Sequence, residues 1–306
     1  MNSMVEIVHE DYLKNLGRVA TSQVTSGGIT IPYIVRNYIC GLTSLYMAVK
    51  LLAVDTGFKY PKFSDFVRCG LNQTNITCTY GYLETKFGEE IIKIPIYYSS
   101  KETEDQILSK SIQIINDILI DNSKTGTQVV KIEKTKPHSK RIRGFSISTG
   151  WDTGGTSKLL ERMGLEKWIA TSVKSKFMPE FQNASEDFKL QVLKNSLVDS
   201  LKNNISKDGK FKAVTCVSIN TGTEQWKKYY RDYMPNNKYI NHTVKTHVVL
   251  AVCIINDEII FMDPAGKDKK EIIQKMDLED FLCSYNGIHT QLQIKSSTYK
   301  KPHADK

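Results

Sequence analysis

The sequence predicts an α+β fold in which a helical lobe packs on an antiparallel sheet. Helical periodicity marks the early part of the chain and β-rich runs mark its end, a segregation that is typical of this class. The 306 residues include 40% hydrophobic and 25% charged side chains, which suffices for a substantial core. No repeat or low-complexity linker divides them. We therefore expect a single domain over 1–306, with a helical lobe over about 1–125 and a β-rich lobe over about 210–296.

The early elements are predicted to be helices. A first helix is expected over 5–16. Apolar side chains then recur at intervals of three, four and three, at Leu42, Leu45, Val49 and Leu52. This spacing places them on one helical face, and further apolar residues lie between them, so the helix over 40–53 is expected to be buried on most sides.

The middle of the chain alternates extended and helical patterns. It predicts a strand over 91–98, an amphipathic helix over 107–119, an extended segment over 127–134, a helix that starts at 156 or 157, and a longer helix over 186–205. Trp151 and Asp152 lie in a glycine-rich stretch before the fourth of these elements, where we expect them to be turn residues.

The end of the chain predicts strands. These lie over 212–219, as a hairpin within 246–264, and over 290–294. Asn256 and Asp257 supply the turn of the hairpin.

Charge and hydropathy limit the classes of partner. The net charge is +9, and basic residues are densest over 131–143. No aromatic side chain interleaves this run as binding of single-stranded nucleic acid favours, so we expect a protein partner with an acidic segment rather than nucleic acid. No run approaches the roughly 18 apolar residues that cross a bilayer, so no transmembrane segment is expected. The acidic start lacks the pattern of a secretory signal, which predicts a soluble protein that is cytoplasmic or delivered into a host cell by another route.

The cysteines do not suggest a disulfide framework or a metal site. Six of them lie far apart, at Cys40, Cys69, Cys78, Cys216, Cys253 and Cys283. No CxxC pair or zinc-like spacing with histidine occurs, so no metal or cofactor is expected, and five of the six are expected to be core residues. Cys40 differs because it precedes Gly41 at the start of a helix, where a helix N-terminus favours the thiolate.

The late hairpin brings a histidine and an aspartate to the same end of two strands. A strict two-residue turn at Asn256-Asp257 would pair Leu250 with Asp263 and leave His247 on the opposite face, because side chains alternate with period two. One additional residue pairs Val249 with Asp263 and places His247 diagonally on the same face. The sequence therefore predicts an odd-length loop or a bulge between His247 and Asp263.

Cysteine, histidine and aspartate in this order have the chemistry of a nucleophile, a base and an orienting group. Cys40 would attack as the thiolate, His247 would take and return a proton, and Asp263 would fix the orientation of the imidazole ring. His242 competes as the base, but it lies in a predicted loop. Gly41 is expected to let a substrate backbone approach closely.

These residues resemble a known family. "CGLTSLYMA" on a central helix, followed about 200 residues later by "HVVLAVCIINDEIIFMDPAG", is similar to the papain-like cysteine peptidases of the bacteriocin-processing type. The pattern of that family runs Cys-Gly-x-x-Ser/Ala-Leu, then His, then Asp-Pro-Ala. The "MDPA" stretch is also similar to that of a bacterial virulence protease, and "CGL" followed by "MA" is similar to a eukaryotic actin maturation protease.

The resemblance implies a papain-like fold and a protease that cleaves a peptide bond in a protein substrate near its N-terminus, as a virulence effector on a host protein. It also implies a Gln side chain a few residues before the nucleophile, which completes an oxyanion hole. The segment "TIPYIVRNYI" before Cys40 has none, so Asn37 is the preferred substitute and Gln23 the alternative. Two other functions stay open: acyl transfer, deamidation or transglutaminase-like crosslinking through the same thioester, and a papain-like binding module without turnover.

Overall fold

The fold is described from a computed structural model of the chain. The described residues are 14–26, 39–56, 58–72, 81–87, 90–96, 129–134, 145–146, 150–151, 155–165, 168–174, 184–206, 210–235 and 246–294. Helices within them are α1 (Cys40–Thr56), α2 (Phe63–Asn72), α3 (Thr156–Arg162), α4 (Glu186–Lys202), α5 (Glu224–Tyr233), α6 (Lys269–Ile272) and α7 (Leu278–Ser284). Residues 14–19 are also helical.

The described strands are distributed over the whole chain. They are β1 (Gly81–Phe87), β2 (Glu90–Ile96), β3 (Val129–Lys134), β4 (Phe145–Ser146), β5 (Gly150–Trp151), β6 (Trp168–Lys174), β7 (Ala213–Asn220), β8 (Thr246–Ile255), β9 (Glu258–Met262), β10 (Ile273–Asp277) and β11 (Tyr285–Ile294). Six of them form one antiparallel sheet in the order β10-β9-β8-β7-β11-β6, and smaller antiparallel sheets have the orders β2-β1-β3 and β4-β5. The predicted α+β class is confirmed.

Helix α1 covers one face of the six-stranded sheet. Four of its leucines, Leu42, Leu45, Leu51 and Leu52, are at most 2% exposed. They share a core with the inward-facing residues Val214, Cys216, Leu250, Val252, Ile260, Met262 and Leu292 of the sheet. Burial of each such leucine contributes about 2 kcal/mol, so the predicted burial of this helix on most sides is confirmed and explains its central position.

Helices α4, α5 and α7 cover the opposite face. Trp226, Tyr229 and Tyr230 of α5 follow helical spacing and are buried, and Thr223 caps the helix by accepting a hydrogen bond from the Trp226 N–H. The rings of Trp226 and Tyr229 lie 5.7 and 5.4 Å from that of Phe261 in β9. An aromatic cluster therefore fixes α5 against the strand that ends beside Asp263.

The β8–β9 hairpin contains the predicted bulge. Its turn is the two-residue Asn256-Asp257, with φ of 50° and 62°, as a type I′ turn requires. Cys253 pairs with Ile260, but Ala251 pairs with Phe261, so β8 holds one additional residue between these pairs. The prediction of a bulge between His247 and Asp263 is confirmed.

Several described strands lie outside the predicted β-rich lobe over about 210–296. Strands β1 and β2 lie within the part predicted as a helical lobe, where only the segment over 91–98 was expected to be a strand. They form because each can pair with the other and β1 pairs also with β3. Strand β6 comes before the predicted β-rich lobe but completes its sheet by pairing with β11. The helix predicted over 107–119 lies outside the described residues.

Among the described residues, no helix combines the length and the apolar character that crossing a bilayer requires.

A buried histidine links β11 to α4. His289 is 0% exposed, its Nδ1 lies 2.7 Å from the Tyr285 hydroxyl, and its Nε2 lies 3.2 Å from the Ser200 hydroxyl. Burial lowers the pKa of His289 from 6.5 to about 4, so the ring is neutral at physiological pH.

We expect His289 to make the protein less stable in acid. The unfolded chain binds a proton at this ring near pH 6.5 and the folded chain only near pH 4, so the stability falls as the pH falls through that interval. The loss amounts to about 3 kcal/mol. Chemical denaturation across this pH range measures it, and His289→Gln should lose this part of the pH dependence. An equal loss of stability at low pH in the parent protein and in the variant would contradict the prediction.

Candidate active site

His247 and Asp263 form the central hydrogen bond of the candidate site. The His247 Nε2 atom lies 2.7 Å from Asp263 Oδ1, and the Asp263 side chain is fully buried. His247 lies at the second residue of β8, and Asp263 follows the last residue of β9. Because the bulge restores matching faces, the two side chains meet across the hairpin as the sequence predicts.

A tight loop holds the Asp263 carboxylate in place. The Asp263 N–H donates to the Ile272 carbonyl at 2.7 Å, and the Ala265 N–H donates to Asp263 Oδ1 at 2.9 Å. Gly266 allows the loop to close, because a Cβ atom there would lie 2.6 Å from the Ile272 nitrogen. The side-chain amide of Gln274 donates to the Lys270 carbonyl and so joins the far end of the loop to β10.

Tyr229 of α5 supplies a third contact to the carboxylate. Its hydroxyl donates to Asp263 Oδ2 at 3.4 Å. Burial and the charge of Asp263 raise the pKa of Tyr229 well above its ordinary value, so the hydroxyl keeps the proton that it donates. Sequence reasoning missed this residue, although the aromatic spacing of α5 was available as a signal that this helix packs on the sheet.

Helix α1 brings Cys40 to the other side of the imidazole ring. Cys40 is the first residue of the helix, as predicted, and its thiol lies beside His247, close enough for each group to shift the pKa of the other. Since Nε2 is bonded to Asp263, the Nδ1 atom of the ring is left for the thiol. The Ser44 hydroxyl, one turn further on, donates to the Val248 carbonyl at 2.9 Å and anchors the helix beside His247.

Opposing effects set the protonation of the Cys40–His247 pair. Burial raises the pKa of Cys40. His247 lowers it through hydrogen bonding and charge, and backbone hydrogen bonds from Val248 and Gly41 lower it further. The net result is a pKa below the ordinary value of a thiol. Burial lowers the pKa of His247, but Asp263 and Cys40 raise it to about 10. The two groups therefore favour a thiolate and an imidazolium at neutral pH.

The pKa values of two other described thiols, Cys216 and Cys69, shift in the opposite direction. Burial raises the pKa of Cys216 to about 12 and also raises that of Cys69. Cys253 is buried, Cys283 is exposed, and Cys78 lies outside the described residues. Cys40 is thus distinguished by its surroundings rather than by its burial, which it shares with Cys216.

The role predicted for Gly41 is wrong. A Cβ atom at this position would lie 2.8 Å from the Cβ atom of Trp151, so the space beside Gly41 is filled by an indole and not left to a substrate backbone. Trp151 is 7% exposed and its Nε1 donates to the Thr156 hydroxyl at 3.5 Å. Trp151 therefore packs on helix α1 and is not the turn residue that the sequence suggested. Asp152 lies outside the described residues.

The two candidates for the oxyanion hole differ in what the structure describes. Gln23 is 4% exposed, its N–H donates to the Pro264 carbonyl at 2.8 Å, and its Oε1 has no hydrogen-bond partner among the described residues. It therefore lies beside the loop that carries Asp263. Asn37, the preferred candidate, lies outside the described residues, as does the competing base His242.

Comparisons with known proteins add no assignment to this geometry. The sequence matches no protein-family model and no curated protein. Within the described residues, no group of three or more His, Cys, Asp or Glu side chains is arranged to hold a metal ion.

Removal of two adjacent buried hydroxyls on α1 is expected to have different effects on the free energy of unfolding. Ser44→Ala leaves the Val248 carbonyl without its donor and should lower the free energy of unfolding by about 1 kcal/mol. Thr43→Val should leave it unchanged or raise it, because the Thr43 hydroxyl is buried without a partner among the described residues. Chemical denaturation measures both variants. Equal losses would show that the Ser44–Val248 bond does not anchor the helix.

Proposed function

We propose that the chain is a papain-like cysteine peptidase that cleaves a peptide bond in a protein substrate through Cys40, His247 and Asp263. One observation carries the proposal: the His247 ring is hydrogen-bonded to a buried carboxylate at 2.7 Å and lies beside a thiol at the start of a central helix, where the two groups shift each other's pKa. This arrangement supplies a nucleophile, a base and an orienting group in the order that the sequence predicts.

The proposed first half-reaction acylates the enzyme. The Cys40 thiolate attacks the carbonyl carbon of the scissile bond, a C–S bond forms, and the carbonyl oxygen becomes an oxyanion. The imidazolium of His247 then donates its Nδ1 proton to the leaving nitrogen as the C–N bond breaks. The Asp263 carboxylate stays hydrogen-bonded to Nε2 and so holds the His247 ring in place while the charge of the ring changes.

The second half-reaction restores the thiolate. His247, now neutral, removes a proton from water, and the resulting hydroxide attacks the thioester carbonyl. Collapse of this intermediate breaks the C–S bond, releases the carboxylic acid product and leaves the thiolate beside the imidazolium. The buried hydrogen bond to Asp263 favours return of the ring to its charged form.

The oxyanion needs donors on the Cys40 side of the site. As the first residue of α1, Cys40 has a backbone N–H that no earlier turn of the helix can use. The Gln23 amide is the second proposed donor, since it is buried next to Pro264 and its oxygen lacks a partner among the described residues. A rotation of the amide exchanges Oε1 and Nε2 without moving the backbone, which allows the NH₂ group to point at the oxyanion.

The proposed substrate is an extended segment of a protein chain. Cys40 and His247 are 9% and 8% exposed, so only a thin segment such as an extended backbone reaches the sulfur. The net charge of +9 favours an acidic segment by long-range attraction.

The proposal predicts new protein termini that depend on Cys40. Incubation of a cell lysate with the protein, followed by N-terminal profiling and intact-mass analysis, should reveal termini that are absent with Cys40→Ala. Cys283→Ser is the matched control, because Cys283 is an exposed thiol outside the site, and this variant should yield the same termini as the parent protein. Cys40-dependent mass changes without new termini would replace peptidase activity with acyl transfer or deamidation. No Cys40-dependent change of either kind would overturn the enzymatic proposal in favour of a binding module.

A further inference from the structure

We propose that Asn204 is a positioning residue for the Cys40–His247–Asp263 site, acting through the bulge in β8. This inference rests on the proposed function, because Asn204 is proposed to stabilise the strand register that brings the residues of the candidate triad together. Asn204 lies two residues after α4 and is 0% exposed.

The bulge determines whether His247 can reach Asp263. From the turn, β8 and β9 pair in regular order up to Cys253 and Ile260. Continued without interruption, this register would pair Leu250 with Asp263 and turn His247 to the opposite face of the sheet. The additional residue is Val252, because Ala251 pairs with Phe261 and Cys253 pairs with Ile260. One residue thus decides whether the 2.7 Å bond exists.

The residue pairs between β7 and β8 do not include the buried Val252 at the bulge. The pairing of β7 with β8 ends at Thr215 and Ala251, one residue before Val252. Val252 is fully buried, so an unpaired carbonyl there would disfavour the bulged register. The Asn204 Nδ2 atom donates to this carbonyl at 3.0 Å and takes the place of a strand partner.

Further hydrogen bonds fix the orientation of the Asn204 amide. Its Oδ1 accepts from the Thr215 hydroxyl and from the Gln291 side-chain amide, each at 3.3 Å. Its backbone carbonyl accepts from the Lys212 and Ala213 N–H groups at 2.8 and 3.2 Å. With Oδ1 committed to two donors, Nδ2 faces Val252, and the network joins β7 and β11 to the bulge.

A purely stabilising network and a positioning network predict different effects at Cys40. Loss of stability alone leaves the ionisation of the folded site unchanged. Loss of the register separates His247 from Asp263, so the carboxylate no longer stabilises the imidazolium. Without a charged imidazole beside it, the Cys40 thiol is affected mainly by burial, which raises its pKa.

The test is the pH profile of Cys40 alkylation in the full chain, resolved from the other cysteines by peptide mass spectrometry. Asn204→Asp places an acceptor against the Val252 carbonyl at nearly constant volume, and we expect the apparent pKa of Cys40 to rise by about one unit or more. Leu193→Ala is the control, since it removes a buried side chain of α4 and should lower the melting temperature without changing the profile.

A second variant covers the case in which Asn204→Asp does not fold. Thr215→Val removes one of the two donors to Asn204 Oδ1 and should raise the apparent pKa in the same direction by a smaller amount. A parental pKa below the ordinary thiol value, together with variant profiles equal to that of Leu193→Ala, overturns the role of Asn204 and leaves the proposed function standing. A parental pKa at or above that value overturns both.

Discussion

The hydrogen bond between His247 and Asp263 is the constraint on which the rest of the candidate site depends. It joins the ends of two strands, and a hairpin with regular pairing would place the two side chains on opposite faces. The fold accommodates it with one additional residue in β8, with a loop that closes behind Asp263, and with α5 packed on the same face of the sheet. These features belong to separate parts of the chain, yet each acts on the same carboxylate or on its register.

Burial and charge act against each other at this point, and their balance gives the site its chemical character. Cys40 and Cys216 are both buried, but Cys40 lies at a helix N-terminus beside an imidazole ring. The pKa of Cys40 is therefore lowered, whereas that of Cys216 is raised. His247 and His289 show the same contrast among the imidazoles. Asp263 keeps His247 charged, whereas His289 is hydrogen-bonded to the hydroxyls of Tyr285 and Ser200 and its ring stays neutral. Polar partners, rather than exposure, therefore decide which groups are ionised.

Much of this arrangement was predictable from local sequence patterns, and the remainder depends on contacts between distant segments. The apolar spacing after Cys40 predicts helix α1, and the alternation of faces in the hairpin predicts the bulge. The contact of Trp151 with Gly41 and the hydrogen bond of Asn204 to Val252 join residues that are 110 and 48 positions apart, respectively. No local pattern encodes such pairs, because an asparagine after a helix looks the same whether it caps that helix or completes a distant strand.

The protonation of the His247 ring tests the central claim most directly. Nitrogen NMR of the selectively labelled histidines, followed as a function of pH, reports this ring apart from the others. The account predicts that both ring nitrogens of His247 stay protonated through neutral pH and lose a proton only near pH 10, while His289 is neutral over the same range. A His247 ring that becomes neutral near its ordinary pKa of 6.5 would contradict the thiolate–imidazolium pair and the catalytic assignment built on it.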